Sequence, residues 1–480
     1  MEKSKRQPAV KIAYLKSKLQ EKQSDNRQLR QRIKELTISR NHQRKKVKHL
    51  RVELEKYSRS AKYGSWIPDS RRISGHKYDL RIVSLCVCLY AFAGCSLRCV
   101  NRVLVYLQLE YGIAVTELPC KSSIENWVQK VGLYQYIHVG SDLWEEYCMI
   151  LDESMVIGQQ RMLLVLGACA QKEGAESLRL GEVKVLGFAV KASWRWEGVR
   201  DFLQEVQEKV GKKASYVVCD GGCNLKRGVQ ETGLIRICDV GHEICKWTEQ
   251  TYKEDERFKA WIKEVTKVRF QVFMKQTAYL MPPKQRTVAR FTNLSFVVAW
   301  AANMLRVLPG LSEVEKQAFG WLELHKTLIA EFAAVFNMNE SILKIIKNEG
   351  ASVKSLDKSL SICQKYRSQV PQCLIDKITR YLKEEKAKLP KVETIWNASS
   401  DVIESLFGKY KYKAASNTLN GITPLVLSLC IYTDTNEDHQ QLHQNVKQAL
   451  ETISMQKLAA WKNSNLCENQ LVRRRMLFKK

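Results

Sequence analysis

Three short apolar runs in the middle of this chain each close on an aspartate, and that pattern restricts the fold more than any other feature. They are Cys148-Met149-Ile150-Leu151-Asp152, Ser215-Tyr216-Val217-Val218-Cys219-Asp220 and Leu234-Ile235-Arg236-Ile237-Cys238-Asp239. Short apolar runs bounded by turn residues read as buried strands. Met162 to Ala170 and Val183 to Ala192 read as two further strands, and Val199 to Val210, stopped by Gly211, reads as a helix. Three strands, a helix, a strand, a helix and a strand make a mixed α/β sheet. From residue 245 to 390 the pattern turns helical, with breaks at Pro282-Pro283 and Pro309-Gly310. Helices from Asp401 to Lys411, Thr423 to Tyr432 and 438 to about 462 close the chain.

Each acid has an ordinary explanation. Asp152 suits a turn or N-cap, Asp220-Gly221-Gly222 is a turn signal, and Glu404 three residues after Asp401 suits a capping box. His242 suits a core histidine. Their arrangement carries more. Acids at the ends of parallel strands gather at the carboxyl edge of a sheet, where open α/β sheets bind ligands, and an acid from a later helix completes a cluster. Three carboxylates are hard ligands suited to Mg²⁺ and to phosphodiester chemistry.

The helix bearing Glu404 fits that use. Ile403, Leu406, Phe407 and Tyr410 form an i, i+3, i+4, i+7 stripe for a core, while Glu404, Gly408 and Lys411 share the adjacent face. Gly408 has no side chain to obstruct a phosphate backbone, and Lys411 can contact one, with Lys409 and Lys413 close by. A competing zinc reading rests on Cys219, Cys223, Cys238, His242 and Cys245, whose spacings match no common zinc motif.

Charge points to the partner. The formal net charge is +28, and residues 1–60 hold 19 Lys/Arg against 6 Asp/Glu, a net of +13, while the last ten residues add five cations and no acid. Such asymmetry favours a polyanion, most simply nucleic acid. Within 1–60, heptad positions from Ile12 to Tyr57 are apolar at 10 of 14 a and d sites, and Asn26 at an a site favours a parallel pair; the alternative is a lone basic helix packed on its own protein. Residues 72–140 read as short helices. The last, Ser122 to Lys130, is capped by Ser122 and stopped by Gly132, which suits a helix-turn-helix or a plain helical linker. The tail from Leu471 to Lys480 reads as unstructured. The longest charge-free apolar stretch, Ile82 to Leu97, has 16 residues, short of the roughly 18–20 that span a bilayer. The opening Met1-Glu2-Lys3-Ser4-Lys5-Arg6 has no apolar signal region, and fifteen scattered cysteines read as reduced thiols, so a cytoplasmic, nucleoid-associated or nuclear location is expected.

The constellation resembles DDE transposases of the insertion-sequence type, whose ribonuclease H-like catalytic core is interrupted by an all-helical insertion. That family carries an acid on the first strand, a second after the fourth and a glutamate on a late helix. The matching positions are Asp152, Asp220 and Glu404, separated by 67 and 183 residues. Asp239-Val240-Gly241-His242 matches an acid-x-x-His signature, and Glu404 with Lys411 matches a Glu-x6-Lys spacing. The Tyr and Arg upstream in that second motif would fall on Asn397 and Ser400, so its fuller form is absent.

The resemblance implies a multidomain α plus α/β chain: a basic coiled coil (1–60), a helix-turn-helix domain (72–140), a catalytic core (145–245 and 391–435) split by a helical insertion (246–390), and a C-terminal helix with basic tail (436–480). It implies DNA cleavage at transposon ends and joining of the 3′-hydroxyl to target DNA. Two Mg²⁺ ions, replaceable by Mn²⁺, would sit on Asp152, Asp220 and Glu404, assisted by His242 and supported by Asp239 and Gly408. Lys409, Lys411 and Lys413 would hold end phosphates; Ser122, Ser123, Asn126 and Lys130 would face the terminal repeat; residues 12–57 would form a homodimer. The rival expectations are a DNA-binding regulator or inactive relative, and a nuclease of the same core that does not join strands.

Overall fold

The computed structural model describes residues 18–19, 22–23, 26, 73–111, 118–140, 143–157, 160–174, 176–284, 291, 294–413, 418–434 and 439–478. The chain divides into two compact units, Met1–Pro68 and Asp69–Lys480. In the first, Lys18, Leu19, Lys22, Gln23 and Asn26 are helical and exposed; the rest of the expected coiled-coil seam and its homodimer lie outside the described residues.

The second unit is mostly helical around one sheet, an α plus α/β arrangement. Helices α1 (Leu80–Ala91), α2 (Leu97–Tyr111) and α3 (Lys121–His138) come first. Strands β1 (Tyr147–Ile157), β2 (Gln160–Cys169), β3 (Val183–Lys191), β4 (Tyr216–Cys219) and β5 (Ile235–Cys238) lie in the order β3-β2-β1-β4-β5. β1–β2 and β2–β3 are antiparallel, whereas β1–β4 and β4–β5 are parallel. The crossovers carry α4 (Trp196–Val210) and α5 (Cys223–Glu231).

Both faces of the sheet are covered, which is why its strands are apolar at nearly every position. Side chains alternate between faces along a strand. Tyr147, Met149 and Leu151 of β1 therefore pack with Val199, Phe202, Leu203 and Val206 of α4, while Cys148 and Ile150 join the larger core on the other face. Val217 and Cys219 of β4 take the α4 face; Tyr216 and Val218 take the other. By the same parity Asp152 and Asp220 fall on the face opposite α4.

Helices α6 (Val240–Tyr252), α7 (Glu256–Val272), α8 (Leu294–Val307), α9 (Glu313–Phe319), α10 (Lys326–Glu349), α11 (Val353–Lys365) and α12 (Gln372–Ala387) follow β5. Their interior holds Phe258, Trp261, Phe291 and Phe332, with the Trp261 and Phe332 rings stacked at 5.7 Å. The chain returns to the sheet at Trp396, which bridges Gln171 and Ala351 and stacks on Tyr216 at 4.3 Å. Then come α13 (Asp401–Lys413), α14 (Ser428–Tyr432), α15 (His439–Thr452), α16 (Met455–Asn465) and α17 (Gln470–Phe478). No described helix is long and apolar enough to cross a membrane.

Four expectations need correction. β1 does not close on Asp152: it continues to Ile157 as a hairpin with β2, with a register shift between Asp152 and Met155. Gly132 does not stop α3, which runs on to His138; a Cβ there would collide with the Leu427 carbonyl oxygen, so the glycine serves a close approach. Ser122 lies inside α3, whose N-cap is Cys120. The basic tail is helical over Gln470–Phe478 rather than unstructured.

Candidate active site

Parallel pairing builds the site from the strands outward. Leu151 is in register with Cys219, and Cys219 with Cys238. The next residue on each strand is Asp152, Asp220 or Asp239, so three aspartates form a row across β1, β4 and β5. Asp220 is fixed by its turn: its Oδ1 accepts from the Gly222 N–H at 2.9 Å, and its carbonyl accepts from Arg236 Nη1 at 3.0 Å.

Asp239 is the anchor of the row, with 1% of its surface exposed. Its Oδ1 caps α6, accepting from the His242 N–H at 2.7 Å and from ring Nδ1 at 3.0 Å. Its Oδ2 accepts from the Ser400 N–H at 2.6 Å and hydroxyl at 2.9 Å. Burial works to raise the carboxyl pKa, but the bonds from His242 and Ser400 outweigh it and hold the group at about 2.

The hydrogen bond to Asp239 is the largest influence on His242; burial opposes it, and the charges of Asp239, Asp152 and Asp220 add to it, raising the imidazole to about 9. The ring is therefore an imidazolium at neutral pH. Its Nε2 lies 3.8 Å from Glu404 Oε1, on the exposed face of α13. Asp152, Asp220, Asp239 and Glu404 thus surround one histidine. Val402, Ile403, Leu406, Phe407 and Tyr410 hold α13 against the core and leave Glu404, Gly408 and Lys411 outward.

Not every expected residue joins them. Lys413 turns inward: its ammonium donates to the Tyr90 carbonyl and lies 3.9 Å over the Tyr90 ring, and burial lowers it to about 8. It is not a free phosphate contact. Lys409 is exposed, with its ammonium 5.9 Å from the Tyr432 ring. Helix α3 does not present a reading face along its length, because Ile124, Trp127, Val128, Gln129, Lys130 and Val131 are buried. Lys130 is 7% exposed and its pKa is lowered by that burial. Ser122 is exposed, Ser123 and Asn126 are half-buried, and the Ser123 hydroxyl pairs with Cys120 Sγ at 3.3 Å.

Three contributors were not anticipated. Ser400 stands where the motif's arginine would be, yet it ties α13 to Asp239. Arg236 braces Asp220. Lys347 of α10 pairs with Asp401 at the first residue of α13, linking the helical insertion to the glutamate helix. The Asp401–Glu404 capping pattern was visible locally; the partners of Ser400 and Lys347, 161 and 54 residues away, were not.

Among the described residues, no three His, Cys, Asp or Glu side chains lie close enough together to hold one metal ion. The donor chemistry nonetheless suits a hard divalent cation: the carboxylates of Asp152 and Asp220 at two adjacent strand ends and of Glu404 on α13 all act on or lie beside His242, and carboxylate oxygens are hard ligands. Zinc at the Cys/His group is disfavoured, because Cys219 and Cys238 are buried and burial pushes both thiols up to about 12. No protein-family model and no curated protein matches the sequence.

Proposed function

We propose that this chain is a DDE-type transposase with a ribonuclease H-like core, which cleaves DNA at transposon ends and joins the resulting 3′-hydroxyl to target DNA. The observation that carries the reading is the convergence of Asp152, Asp220, Asp239 and Glu404 on His242 at the carboxyl edge of β1, β4 and β5. Residues separated by 67 and 183 intervening positions come to one histidine, in keeping with the family pattern.

Asp152, Asp220 and Glu404 would hold the divalent cations, Mg²⁺ or Mn²⁺. Once bound, those ions supply the charge that activates the attacking oxygen and stabilises the leaving one. The protein's own groups do the rest. Asp239 keeps His242 protonated and fixes its ring, leaving Nε2–H to donate to a non-bridging phosphate oxygen. Gly408 leaves the α13 surface open, with no atom within 4 Å of the position its Cβ would take. Lys411 offers a cation two turns beyond Glu404.

Nicking of terminal-repeat duplex by the full chain, with and without Mg²⁺, tests the reading. Metal-dependent nicking that disappears in Asp152→Ala, Asp220→Ala and Glu404→Ala supports it; cleavage at the wild-type rate in any of them would refute it. Strand-transfer products from a precleaved 3′-hydroxyl end separate a transposase from a nuclease.

A further inference from the structure

The burial of α3 removes the helix expected to meet DNA, but α2 beside it presents a suitable face. Leu97, Val100 and Leu104 turn inward, whereas Arg98, Arg102, Tyr106 and Leu109 are exposed along one stripe, Tyr106 at 61% and Leu109 at 72%. Asn101 Nδ2 donates to the Pro119 carbonyl at 2.8 Å and fixes the rotation of α2 about its axis.

Several surface arginines are neutralised by a carboxylate, and among the described residues those on this stripe are not. Arg81, Arg161, Arg200 and Arg257 each pair with a carboxylate, at 3.0, 3.1, 2.7 and 2.7 Å. Arg98 and Arg102 have no carboxylate partner among the described residues. An unneutralised arginine pair beside an exposed tyrosine complements a phosphate backbone.

The stripe also continues from the candidate active site. Lys413, the last residue of α13, reaches the carbonyl and ring of Tyr90 in the last turn of α1, and its charge acts on Cys95 in the turn that leads into α2. Along α13, Glu404 and Lys411 are separated by roughly 10 Å of helix axis, about three base steps at 3.4 Å each. A strand whose reacting phosphate lies at Glu404 passes Gly408 and Lys411 and then meets the α1–α2 corner.

Resting on the transposase reading, we propose that the outward face of α2, through Arg98 and Arg102, receives the phosphate backbone of the duplex that leads away from the reacting phosphodiester along α13. Its recognition is for phosphate spacing rather than for base edges. Tyr106 packs against the sugar at the far end of the track.

Fluorescence anisotropy of the full chain tests this, with a labelled duplex of about 40 base pairs and arbitrary sequence, in EDTA so that binding is read without cleavage, across a KCl series. Arg98→Ala with Arg102→Ala is expected to weaken binding about tenfold or more and to reduce the slope of log affinity against log salt by about 2, one unit per lost phosphate contact. Arg98→Lys with Arg102→Lys should restore the slope in a protein with the same melting temperature. Wild-type affinity and slope in the alanine pair would overturn the surface while leaving the function standing, provided the wild type nicks DNA with Mg²⁺. A wild type that neither binds nor nicks duplex DNA overturns both.

Discussion

Ser400 donates twice to a single oxygen of Asp239, through its backbone N–H at 2.6 Å and its hydroxyl at 2.9 Å. The other oxygen of that carboxylate holds the backbone and ring of His242. One buried acid therefore sets the charge and orientation of His242 and anchors the residue that precedes α13. Glu404 lies one turn into that helix, so its place opposite His242 depends on the same acid.

Removing this acceptor should cost more than removing either donor. Asp239→Asn keeps the shape but turns one acceptor oxygen into a donor that opposes Ser400 or His242. It should lower stability by roughly 2–4 kcal/mol, against roughly 1–2 kcal/mol for Ser400→Ala, which leaves the backbone bond in place. Urea unfolding with matched m-values checks both. An Asp239→Asn protein as stable as the wild type would mean that the pairing does not hold α13.

The same pair sets a pH window for stability in metal-free protein. Asp239 is depressed to about 2, so its contribution is complete above the ordinary carboxyl value near 4 and is lost as pH falls toward 2. His242 is raised to about 9, so its contribution is complete below about 6.5 and is lost as pH rises through 9. The interaction is one and counts once, about 1–2 kcal/mol after solvent screening of the half-exposed imidazole, fully present only between about pH 4 and 6.5. Unfolding free energies measured in EDTA should decline on both sides of that window, and Asp239→Asn should flatten the profile. A wild-type profile with no decline above pH 6.5 would exclude the imidazolium.

Much of this centre was legible because buried parallel strands leave a plain trace. The runs ending at Asp152, Asp220 and Asp239 are apolar on both faces, and the stripe Ile403, Leu406, Phe407 and Tyr410 shows which side of α13 is outward. Burial of polar residues was not legible. Gln129 and Lys130 look like surface positions, yet α3 lies under α14 and α15 and both are covered. Lys413 looked like another cation in a basic run, and only the distant carbonyl and ring of Tyr90 turn it inward. Ser400 and Arg236 were invisible because their partners are set by the tertiary fold rather than by spacing.

His242 should matter less than the carboxylates. A protonated donor that stabilises charge on a phosphate contributes about 10²–10³ in rate. His242→Gln, which can still donate one hydrogen bond, should therefore reduce Mg²⁺-dependent nicking about 10²-fold or less without abolishing it. Mg²⁺ or Mn²⁺ should raise the melting temperature of the His242→Gln protein as it does the wild type, but not that of Asp152→Ala. Saturation at about 100 Kd corresponds to about 2.7 kcal/mol. Metal-induced stabilisation that survives in Asp152→Ala would place the cation elsewhere.

The Lys347–Asp401 pair gives the helical insertion a route to the glutamate helix. Both side chains are partly exposed, 23% and 52%, so the pair adds at most about 1 kcal/mol to stability after solvent screening. On the proposed function its effect on activity should be larger, because displacing Glu404 from the reacting phosphate by about 1 Å can cost up to 10²-fold. Lys347→Ala is expected to melt close to the wild type yet nick DNA about tenfold more slowly, with Lys347→Arg recovering most of the rate. Asp401→Asn should behave like Lys347→Ala, and the double variant should be no slower than either single one, since both remove the same contact. Multiplying losses in the double variant would show that the two residues act separately, and the insertion would then have no hold on Glu404 through this pair.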